Sequence, residues 1–370
     1  MNGEPVTLKD VAQRAGVSTS TASRITRGDR SRPVEAATEA RIWEAARALG
    51  YRPNLLARSL VKGQNTLIDP LREIGIVLGT RGYKFSGLFF MGVLESIHAE
   101  ILANRYHLRF IYSMSDLEDE WLRGEMVRPD IIGGLIGITL HDDALRCLAA
   151  TGVAPIVVIE GPASATNVDF VSCDKESGIV QMMDHLWALG HRSYVFLGPP
   201  EEERARRFTA WLTLSGQPAA PIVDTHEAWD METGYAAMRA FLSSNRDRPS
   251  VVVAACDTLA VGALRAAREM EMRVPDDMAI VGFDDTMGAF TNPALTSVVV
   301  QRERLGHIAV QRLIDRQRHP TEPSLRIVET TTLVVRESCG VRRHTTRDIS
   351  PDAPSTTAER RDAPSGERIG

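Results

Sequence analysis

The feature that most constrains the fold of this chain is an alternation of short apolar runs with amphipathic helical segments, which begins at Ile74. Such runs fit parallel strands, because each is followed by a helical segment that can cross back over a sheet. The same rhythm starts again after Cys173. We therefore predict two similar doubly wound α/β lobes that bind ligands at the carboxyl ends of their strands. The runs are I-G-I-V-L-G, H-L-R-F-I-Y, I-I-G-G-L-I-G and P-I-V-V-I, and then Y-V-F-L-G, V-V-V-A-A and A-I-V-G-F.

Charge is divided unevenly along the chain. The 370 residues carry a net charge of -5, yet residues 1–64 hold 11 basic and 6 acidic side chains, so the remainder carries -10. A basic module joined to an acidic body indicates that the first part binds a polyanion such as DNA. No apolar stretch is long enough for a membrane span or a signal-peptide core, so we expect a cytosolic protein.

The cysteines and the short motifs give no sign of a cofactor. No Walker A loop, G-x-G-x-x-G or H-E-x-x-H motif occurs in the sequence. The cysteines are scattered and have no histidine at a metal-ligand spacing, so we predict buried thiols, no metal site and no cofactor. They are Cys147, Cys173, Cys256 and Cys339.

Two short helices joined by a tight turn are predicted near the start of the chain. Apolar residues recur at helical spacing from Leu8 to Ala15, Gly16 can end that helix in a left-handed conformation, and Ser18 can cap a second helix. A third helix is predicted from Glu35 to Leu49. This arrangement is typical of a helix-turn-helix, whose second helix reads the major groove. The alternative is that its polar face is only solvated, since Ser and Thr also gather at helix starts as caps.

Two stretches at the front are highly specific: V-T-L-K-D-V-A-Q-R-A-G-V-S-T-S-T-A-S-R at residues 6–24 and G-Y-R-P-N-L-L-A-R-S-L at residues 50–60. On these residues the chain resembles the LacI/GalR family of bacterial transcription regulators. The resemblance continues to about Glu337 through L-W-A-L-G-H-R, V-V-V-A-A-C-D-T-L-A-V-G-A-L-R-A and R-V-P-D-D-M-A-I-V-G-F-D-D. It implies a helix-turn-helix domain, a hinge helix and a two-lobed effector domain that is similar to periplasmic sugar-binding proteins.

The resemblance also implies which side chains contact DNA. In the family, the two residues after the Val-Ser step and a later arginine on the same helix read bases, and here these are Thr19, Ser20 and Arg24. A forked guanidinium suits the edge of a guanine, and hydroxyls bond to base edges or phosphates. The positions that correspond to phosphate contacts are Thr7, Thr21 and Ser23.

The segment after the helix-turn-helix resembles the family's hinge helix, which orders on operator DNA. The DNA contacts implied there are Asn54, Arg58 and Leu60. Leu60 corresponds to an apolar wedge that enters the minor groove from each subunit and kinks the duplex. The alternative is that Leu55, Leu56 and Leu60 form one apolar face that packs on the body of the protein.

An effector between the two lobes is implied by the same resemblance. The family's effector-gripping arginine corresponds to Arg207, and the first aspartate of its F-D-D motif corresponds to Asp284. A guanidinium and a carboxylate can hold neighbouring hydroxyls of a polyol. Trp229 corresponds to an aromatic that stacks on a sugar ring, and Phe89 and Phe90 stand where the other lobe supplies its aromatic. Two alternatives stay open: the phenylalanines are equally consistent with core positions, and Asp284 could instead cap the following turn.

Two departures from the family pattern bear on the ligand. Gly87 and Leu88 replace the usual Asn-Pro, and Ala255-Cys256-Asp257 replaces the usual Ala-Asn-Asp, so Cys256 and Asp257 stand at this part of the effector site. Each change removes an amide that would bond to a sugar hydroxyl. The sequence therefore leaves open an unusual effector, a larger or less polar one, or the loss of effector binding.

In this family the chain crosses between the lobes three times, which we expect near Ser172, Val299 and Thr330. The last residues are polar and rich in Pro, Ser and Thr, which predicts a disordered tail. The absence of a leucine heptad favours a dimer over a tetramer.

The resemblance implies four segments. They are the helix-turn-helix at 1–53, the hinge helix at 54–65, the effector-binding and dimerisation domain at 74–339, and the tail at 340–370. Within the effector domain, lobe 1 spans about 74–172 and 300–329, and lobe 2 spans about 173–299 and 330–339.

We therefore predict a dimeric repressor that binds a pseudo-palindromic DNA operator under the control of a small, sugar-like molecule, with no membrane association. The residues do not show whether the effector releases or strengthens DNA binding. One alternative is the solute-binding protein of a sugar transporter, which the basic N-terminal module and the missing signal peptide disfavour. Another is an enzyme that uses His141 with Asp142, or His226 with Glu227, as acid and base.

Overall fold

The helix-turn-helix forms as predicted, with three helices around a small apolar core. Gly16 adopts the left-handed conformation at φ 68°, and the Ser18 hydroxyl accepts a hydrogen bond of 3.1 Å from the Thr21 amide, which caps the second helix. The helices are α1 (Leu8–Ala15), α2 (Thr19–Thr26) and α3 (Ala36–Leu49). The core that they share contains Val11, Ala15, Ile25, Ile42, Ala45 and Ala46.

This structure is a computed structural model of the whole chain. The residues that it describes are 7–26, 34–49, 51, 70–79, 87–119, 122–124, 127–128, 131–153, 155–161, 168–226, 228–245 and 247–340.

The first of two six-stranded sheets is entirely parallel, in the order β11-β5-β4-β3-β1-β2. Its central strands, β1, β3 and β4, are continuous buried runs, because helices cover both faces of the sheet there. The strands are β1 (Glu73–Leu78), β2 (His107–Ser113), β3 (Gly134–Ile138), β4 (Ile156–Ile159), β5 (Asp169–Cys173) and β11 (Arg326–Glu329). The helices packed with it are α4 (Leu88–Ala103), α5 (Asp142–Ala150) and α10 (Arg302–Arg318).

The second sheet has the order β12-β10-β9-β8-β6-β7, and every pair in it is parallel except β12 with β10. The strands are β6 (Tyr194–Leu197), β7 (Ile222–Val223), β8 (Val251–Ala254), β9 (Ala279–Asp284), β10 (Thr296–Val299) and β12 (Thr332–Val334). The helices of this half are α6 (Lys175–Ala188), α7 (Glu203–Leu214), α8 (Met231–Ser244) and α9 (Asp257–Glu269).

Helices α8 and α9 approach each other closely through two glycines. A Cβ atom at Gly262 would clash with the carbonyl oxygen of Met231 and lie 2.5 Å from the Tyr235 nitrogen. A Cβ atom at Gly234 would lie 2.6 Å from the Leu259 carbonyl oxygen. This helix pair therefore depends on the absence of a side chain at both positions.

The chain passes between the two sheets three times: after Cys173, after Val299, and between Glu329 and Thr332. The predicted class, a helix-turn-helix followed by two doubly wound α/β lobes, is confirmed. The predicted hinge helix and the predicted disordered tail lie outside the described residues. No helix among the residues described here is long and apolar enough to span a membrane.

Candidate DNA-binding face and effector cleft

Helix α2 presents short hydroxyl side chains to solvent. Thr19 and Ser20 are exposed in its first turn, and Ser23 is half-buried one turn later. The Thr21 hydroxyl lies 2.8 Å from the Ser18 hydroxyl, so it takes part in the cap of the helix. The predicted base-reading pair is therefore accessible, while Thr21 already has a partner within the domain.

Arg24 lies in the last turn of α2 and is half-buried. Its Nε atom is buried and has no hydrogen-bond partner among the residues that the structure describes. At the start of α1, the amide and the hydroxyl of Thr7 each donate a hydrogen bond of 2.7 Å to the Asp10 carboxylate. The predicted hinge contacts Asn54, Arg58 and Leu60 lie outside the described residues.

The strands of both sheets end in residues with unusual backbone conformations. Thr139 after β3 and Glu160 after β4 have φ 52°, and in the second sheet Asp284 and Asp285 have φ 90° and 48°. Residues other than glycine adopt these angles at some cost, and such positions cluster at functional sites. The carboxyl ends of the strands, where a doubly wound sheet binds its ligands, are thus built to hold particular side chains.

Glu160 and Lys175 form a buried ion pair at this edge. Nζ of Lys175 contacts one oxygen of Glu160, and the other oxygen accepts a hydrogen bond of 2.7 Å from the Cys173 amide. Burial opposes the charge of Lys175, but the neighbouring Glu160 outweighs it and raises the pKa of the ammonium above its ordinary value. Glu203 lies 3.8 Å from the same Nζ atom.

A second group of charged side chains surrounds Arg204, which lies in the first turn of α7. Its Nε atom donates a hydrogen bond of 3.1 Å to Glu202, and its Nη1 atom donates one of 2.6 Å to the Ala255 carbonyl oxygen. The same Nη1 atom lies 3.6 Å from Oδ1 of Asp284. Burial disfavours ionised Glu202, but the charge of Arg204 prevails and holds the pKa of this carboxyl below its usual range.

Asp284 ends β9 and keeps only 13% of its side-chain surface exposed. Burial raises the pKa of its carboxyl to about 7, although the charge of Arg204 acts in the opposite direction. The structure thus brings Asp284 to an arginine at the strand ends, as the resemblance implied. The arginine beside it is Arg204.

Arg207 lies one turn further along α7, where its ion pairs are with other carboxylates. Its Nη1 atom lies 2.9 Å from Glu176 and its Nη2 atom lies 3.6 Å from Glu203, and 41% of its side chain is exposed. Whether Arg207 contacts an effector stays a prediction.

Asp257 supports the F-D-D loop from beneath and is not open to a ligand. The residue is fully buried, one of its oxygens accepts a hydrogen bond of 2.6 Å from the Ser297 hydroxyl, and the other accepts bonds of 2.7 and 3.2 Å from the amides of Thr286 and Met287. Burial raises the pKa of this carboxyl to about 6. The expectation that Asp257 binds the effector is therefore wrong, because its acceptors are occupied and no surface is left for a ligand.

Cys256 begins α9 beside Trp229. Its Sγ atom lies 2.9 Å from the Thr258 hydroxyl, which donates a hydrogen bond of 2.5 Å to the Trp229 carbonyl oxygen. Burial raises the pKa of the Cys256 thiol to about 12, so the thiol stays neutral. The Trp229 ring is 37% exposed and lies 5.1 Å from the guanidinium of Arg204.

Phe89 and Phe90 lie in the first turn of α4. Both are half-buried, their rings meet edge to face at 5.8 Å, and both pack against the main apolar core. They thus combine the two alternatives left open by the sequence, since each contacts the core and retains exposed surface.

The structure adds four charged residues that the sequence analysis did not select: Glu160, Lys175, Glu202 and Arg204. A signal existed for Glu160, which follows an apolar strand at the edge where ligands bind. For the other three, only the tertiary contacts distinguish them from neighbouring charges. No group of three or more His, Cys, Asp or Glu side chains within the described ranges could hold a metal ion.

Known proteins match this chain over nearly its whole length. A sequence profile described as "Bacterial regulatory proteins, lacI family" matches residues 7–54, and one described as "Periplasmic binding protein-like domain" matches residues 183–339. The HTH-type transcriptional repressor PurR of Edwardsiella ictaluri is 30% identical over 321 residues, which are 84% of this chain and 90% of that protein. The HTH-type transcriptional regulator CelR of Thermobifida fusca is 30% identical over 342 residues, 90% of this chain and 98% of that protein.

Solved structures give the same picture. The complex of the transcriptional regulator CelR with cellobiose superposes with a TM-score of 0.65 at 28% identity, and covers 90% of this chain and 99% of its own. The lac repressor dimer bound to operator and the anti-inducer ONPF superposes with a TM-score of 0.64 at 25% identity, and covers 91% and 99%.

Proposed function

This chain belongs to the lacI family of bacterial regulatory proteins, and from that premise we propose that it is a dimeric repressor whose operator affinity is set by a small molecule held between its two sheets. One observation supports this most directly. A single chain joins a lacI-type helix-turn-helix, with an exposed reading helix, to two doubly wound sheets whose strand ends hold a polar, aromatic-lined cluster. The first part suits DNA and the second suits a small ligand.

For the operator, we propose that Thr19, Ser20 and Arg24 read base edges in the major groove. Thr19 and Ser20 are already exposed. Arg24 is half-buried and its Nε atom is buried, so a contact with guanine has to come from the end of its guanidinium. The proposed phosphate contacts are Thr7, Thr21 and Ser23, and the proposed hinge contacts are Asn54, Arg58 and Leu60.

The proposed phosphate contact of Thr7 competes with a hydrogen bond that Thr7 already makes. Its hydroxyl donates to Asp10 in the free protein, so a hydrogen bond from this hydroxyl to a phosphate requires the Asp10 bond to break. A phosphate near Asp10 is also repelled by its charge. We therefore expect Thr7 to contribute less to operator affinity than Ser23, whose hydroxyl forms no hydrogen bond as a donor in the described structure.

For the effector, we propose a carbohydrate or related polyol. The cluster has an aromatic surface at Trp229 and an acceptor at Asp284, and Phe89 and Phe90 stand at the start of α4. Aromatic faces and carboxylates together recognise the apolar face and the hydroxyls of a sugar. The similar regulator CelR has been solved with cellobiose, which makes cellobiose a suitable first probe.

Control of DNA binding then requires that the effector prefer one arrangement of the two sheets. Linkage makes this reciprocal: an effector that lowers operator affinity is itself bound less tightly by the operator complex. Couplings of this kind are typically about 1 to 3 kcal/mol.

The relatives of the chain are transcriptional regulators, and we propose that it catalyses no reaction. His141 stands at the N-cap position of α5 without a capping hydrogen bond from its side chain, and the exposed His226 lies 3.1 Å from Asp224; Glu227 lies outside the described residues. The alternative of a transporter's solute-binding protein leaves the helix-turn-helix without a role.

The test is selection of operator fragments from the host genome by the purified full-length protein, followed by sequencing. We expect a palindromic site. Arg24→Ala should weaken binding to it and relax the preference at one base pair per half-site by about 1 to 3 kcal/mol. Arg14→Ala is the matched control, because Arg14 is an exposed arginine on α1 that is not among the proposed DNA contacts. Equal losses for both variants on operator and random DNA would show that Arg24 acts only as a general positive charge.

A further inference from the structure

The guanidinium of Arg204 retains an open donor. Its Nε and Nη1 atoms bond to Glu202 and to the Ala255 carbonyl oxygen, but its Nη2 atom has no hydrogen-bond partner among the described residues. The side chain is largely buried and keeps 11% of its surface exposed. Arginine has five N–H donors and no acceptor, and Nη2 is not among the buried unpartnered atoms of the described residues, so this donor is open to an acceptor from outside the protein.

The surroundings of this donor are aromatic on two sides. The guanidinium carbon lies 5.0 Å from the centre of the Phe283 ring and 5.1 Å from that of Trp229. Phe283 is fully buried, whereas Trp229 is exposed. A ligand stacked on the open face of Trp229 would therefore lie next to the Arg204 fork.

The charged side chains around the Arg204 guanidinium leave no excess of positive charge. Glu202 and Asp284 both face the single guanidinium of Arg204, although Asp284, with its pKa raised to about 7 by burial, is only partly ionised at neutral pH. Glu160 and Glu203 both face the single ammonium of Lys175. Arg207 adds one positive charge on the outside, where Glu176 pairs with it. A phosphate or carboxylate on the ligand would meet carboxylates that already satisfy the basic groups, and like charges at short range repel each other.

We infer that Arg204, and not Arg207, is the arginine that holds the effector, and that this site selects an uncharged polyol or glycoside over its phosphorylated or carboxylated analogues. This rests on the proposed function. Nη2 of Arg204 donates to a hydroxyl or ring oxygen, Asp284 accepts from a neighbouring hydroxyl, and Trp229 covers the apolar face of the ring. Glu202 fixes the charge preference, because it compensates the guanidinium before any ligand arrives.

The experiment is a binding panel with the full-length protein, measured by calorimetry and thermal shift. The probes are cellobiose, glucose and ribose, with glucose 6-phosphate, ribose 5-phosphate and glucuronate as charged counterparts. Arg204→Lys should weaken the best neutral probe roughly ten- to a hundredfold, the range expected for a lost hydrogen bond from a charged donor. Arg207→Lys should change it less than about threefold, the scale of an exposed ion pair. Arg206→Lys, at an exposed position of the same helix, is the control.

A second variant tests the charge preference separately. Glu202→Gln leaves Arg204 in place but removes a compensating carboxylate, so it should raise the affinity for a phosphorylated probe relative to its neutral counterpart. If circular dichroism shows that Arg204→Lys does not fold, the binding measurements on Glu202→Gln and Arg207→Lys still test the inference.

Unchanged binding by folded Arg204→Lys, a large loss in Arg207→Lys, or a wild-type preference for the phosphorylated probes would each overturn the inference while leaving the proposed function standing. Sequence-specific operator binding with no response to any probe would overturn the proposed carbohydrate sensing, and this inference with it.

Discussion

Asp257 should make the stability of this protein depend on pH in a direction opposite to that of an ordinary salt-bridged aspartate. Burial raises the pKa of this carboxyl from 3.8 to about 6, so the native state holds the proton more tightly than the unfolded chain does. Stability at this site is therefore greatest below pH 4 and falls as the pH rises towards 6. At about 1.4 kcal/mol per pKa unit, a rise of this size corresponds to about 3 kcal/mol.

The variant Asp257→Asn cannot ionise and should lack this contribution. We expect the free energy of unfolding of the wild type, minus that of the variant, to fall by about 2 to 3 kcal/mol between pH 4 and pH 7. Urea denaturation followed by circular dichroism, in a series of buffers across that range, measures the difference. Replacing the carboxylate by an amide also removes one hydrogen-bond acceptor. That loss of stability is the same at every pH, so it does not change how the difference varies with pH.

Asp277→Asn is the matched control. Arg273 lowers the pKa of the exposed Asp277 to about 2, so this aspartate is ionised in both states above pH 5. Its difference curve should be flat from there upwards. A flat curve for Asp257→Asn as well would refute the argument, because the carboxylate would then ionise equally easily in the folded and unfolded chain.

Two further substitutions test the packing of each lobe. Asp169→Ala should lower the free energy of unfolding by about 3 to 5 kcal/mol, because it leaves Arg312 and Arg316 buried without their carboxylate; operator affinity should not change, and urea denaturation with a DNA-binding titration checks both. Gly262→Ala should cost about 1 to 3 kcal/mol by forcing α8 and α9 apart. Ala240→Gly, at an exposed position of α8, measures the helix preference for alanine over glycine, and a gain in stability in Gly262→Ala would contradict the close-packing argument.

The local features of the helix-turn-helix were predictable, because each depends on residues close together in the chain. Gly16 ends a helix whichever fold surrounds it, and Ser18 needs only the amide three residues later. The long apolar strands were also predictable, since burial on both faces leaves an unbroken hydrophobic run. The segments Asp169–Cys173 and Arg326–Glu329 were not predicted as strands, and they pair with each other across some 150 residues of chain.

The cleft was predictable in position but only partly in its contacts. The resemblance named Asp284 and Arg207 as effector contacts, and in the structure the arginine next to Asp284 is Arg204. A motif fixes a residue's place along a helix and not the direction of its long side chain. Asp257 follows β8 as a ligand-binding residue would, yet the loop after β9 folds over it and takes its hydrogen bonds. That contact joins two segments that are distant in sequence.

The order of the strands has a consequence for how the protein is made. The last strand added to the first sheet, β11, and the last added to the second, β12, are separated by only two residues near the end of the described chain. During synthesis, neither lobe can complete its edge until the chain has been made as far as Arg326–Val334, whereas the helix-turn-helix has all its core residues by Tyr51. A nascent chain therefore has the residues of a complete DNA-binding domain some 275 residues before it has those of a finished sensor, and over that interval the domain lacks the lobes that would join it into a dimer.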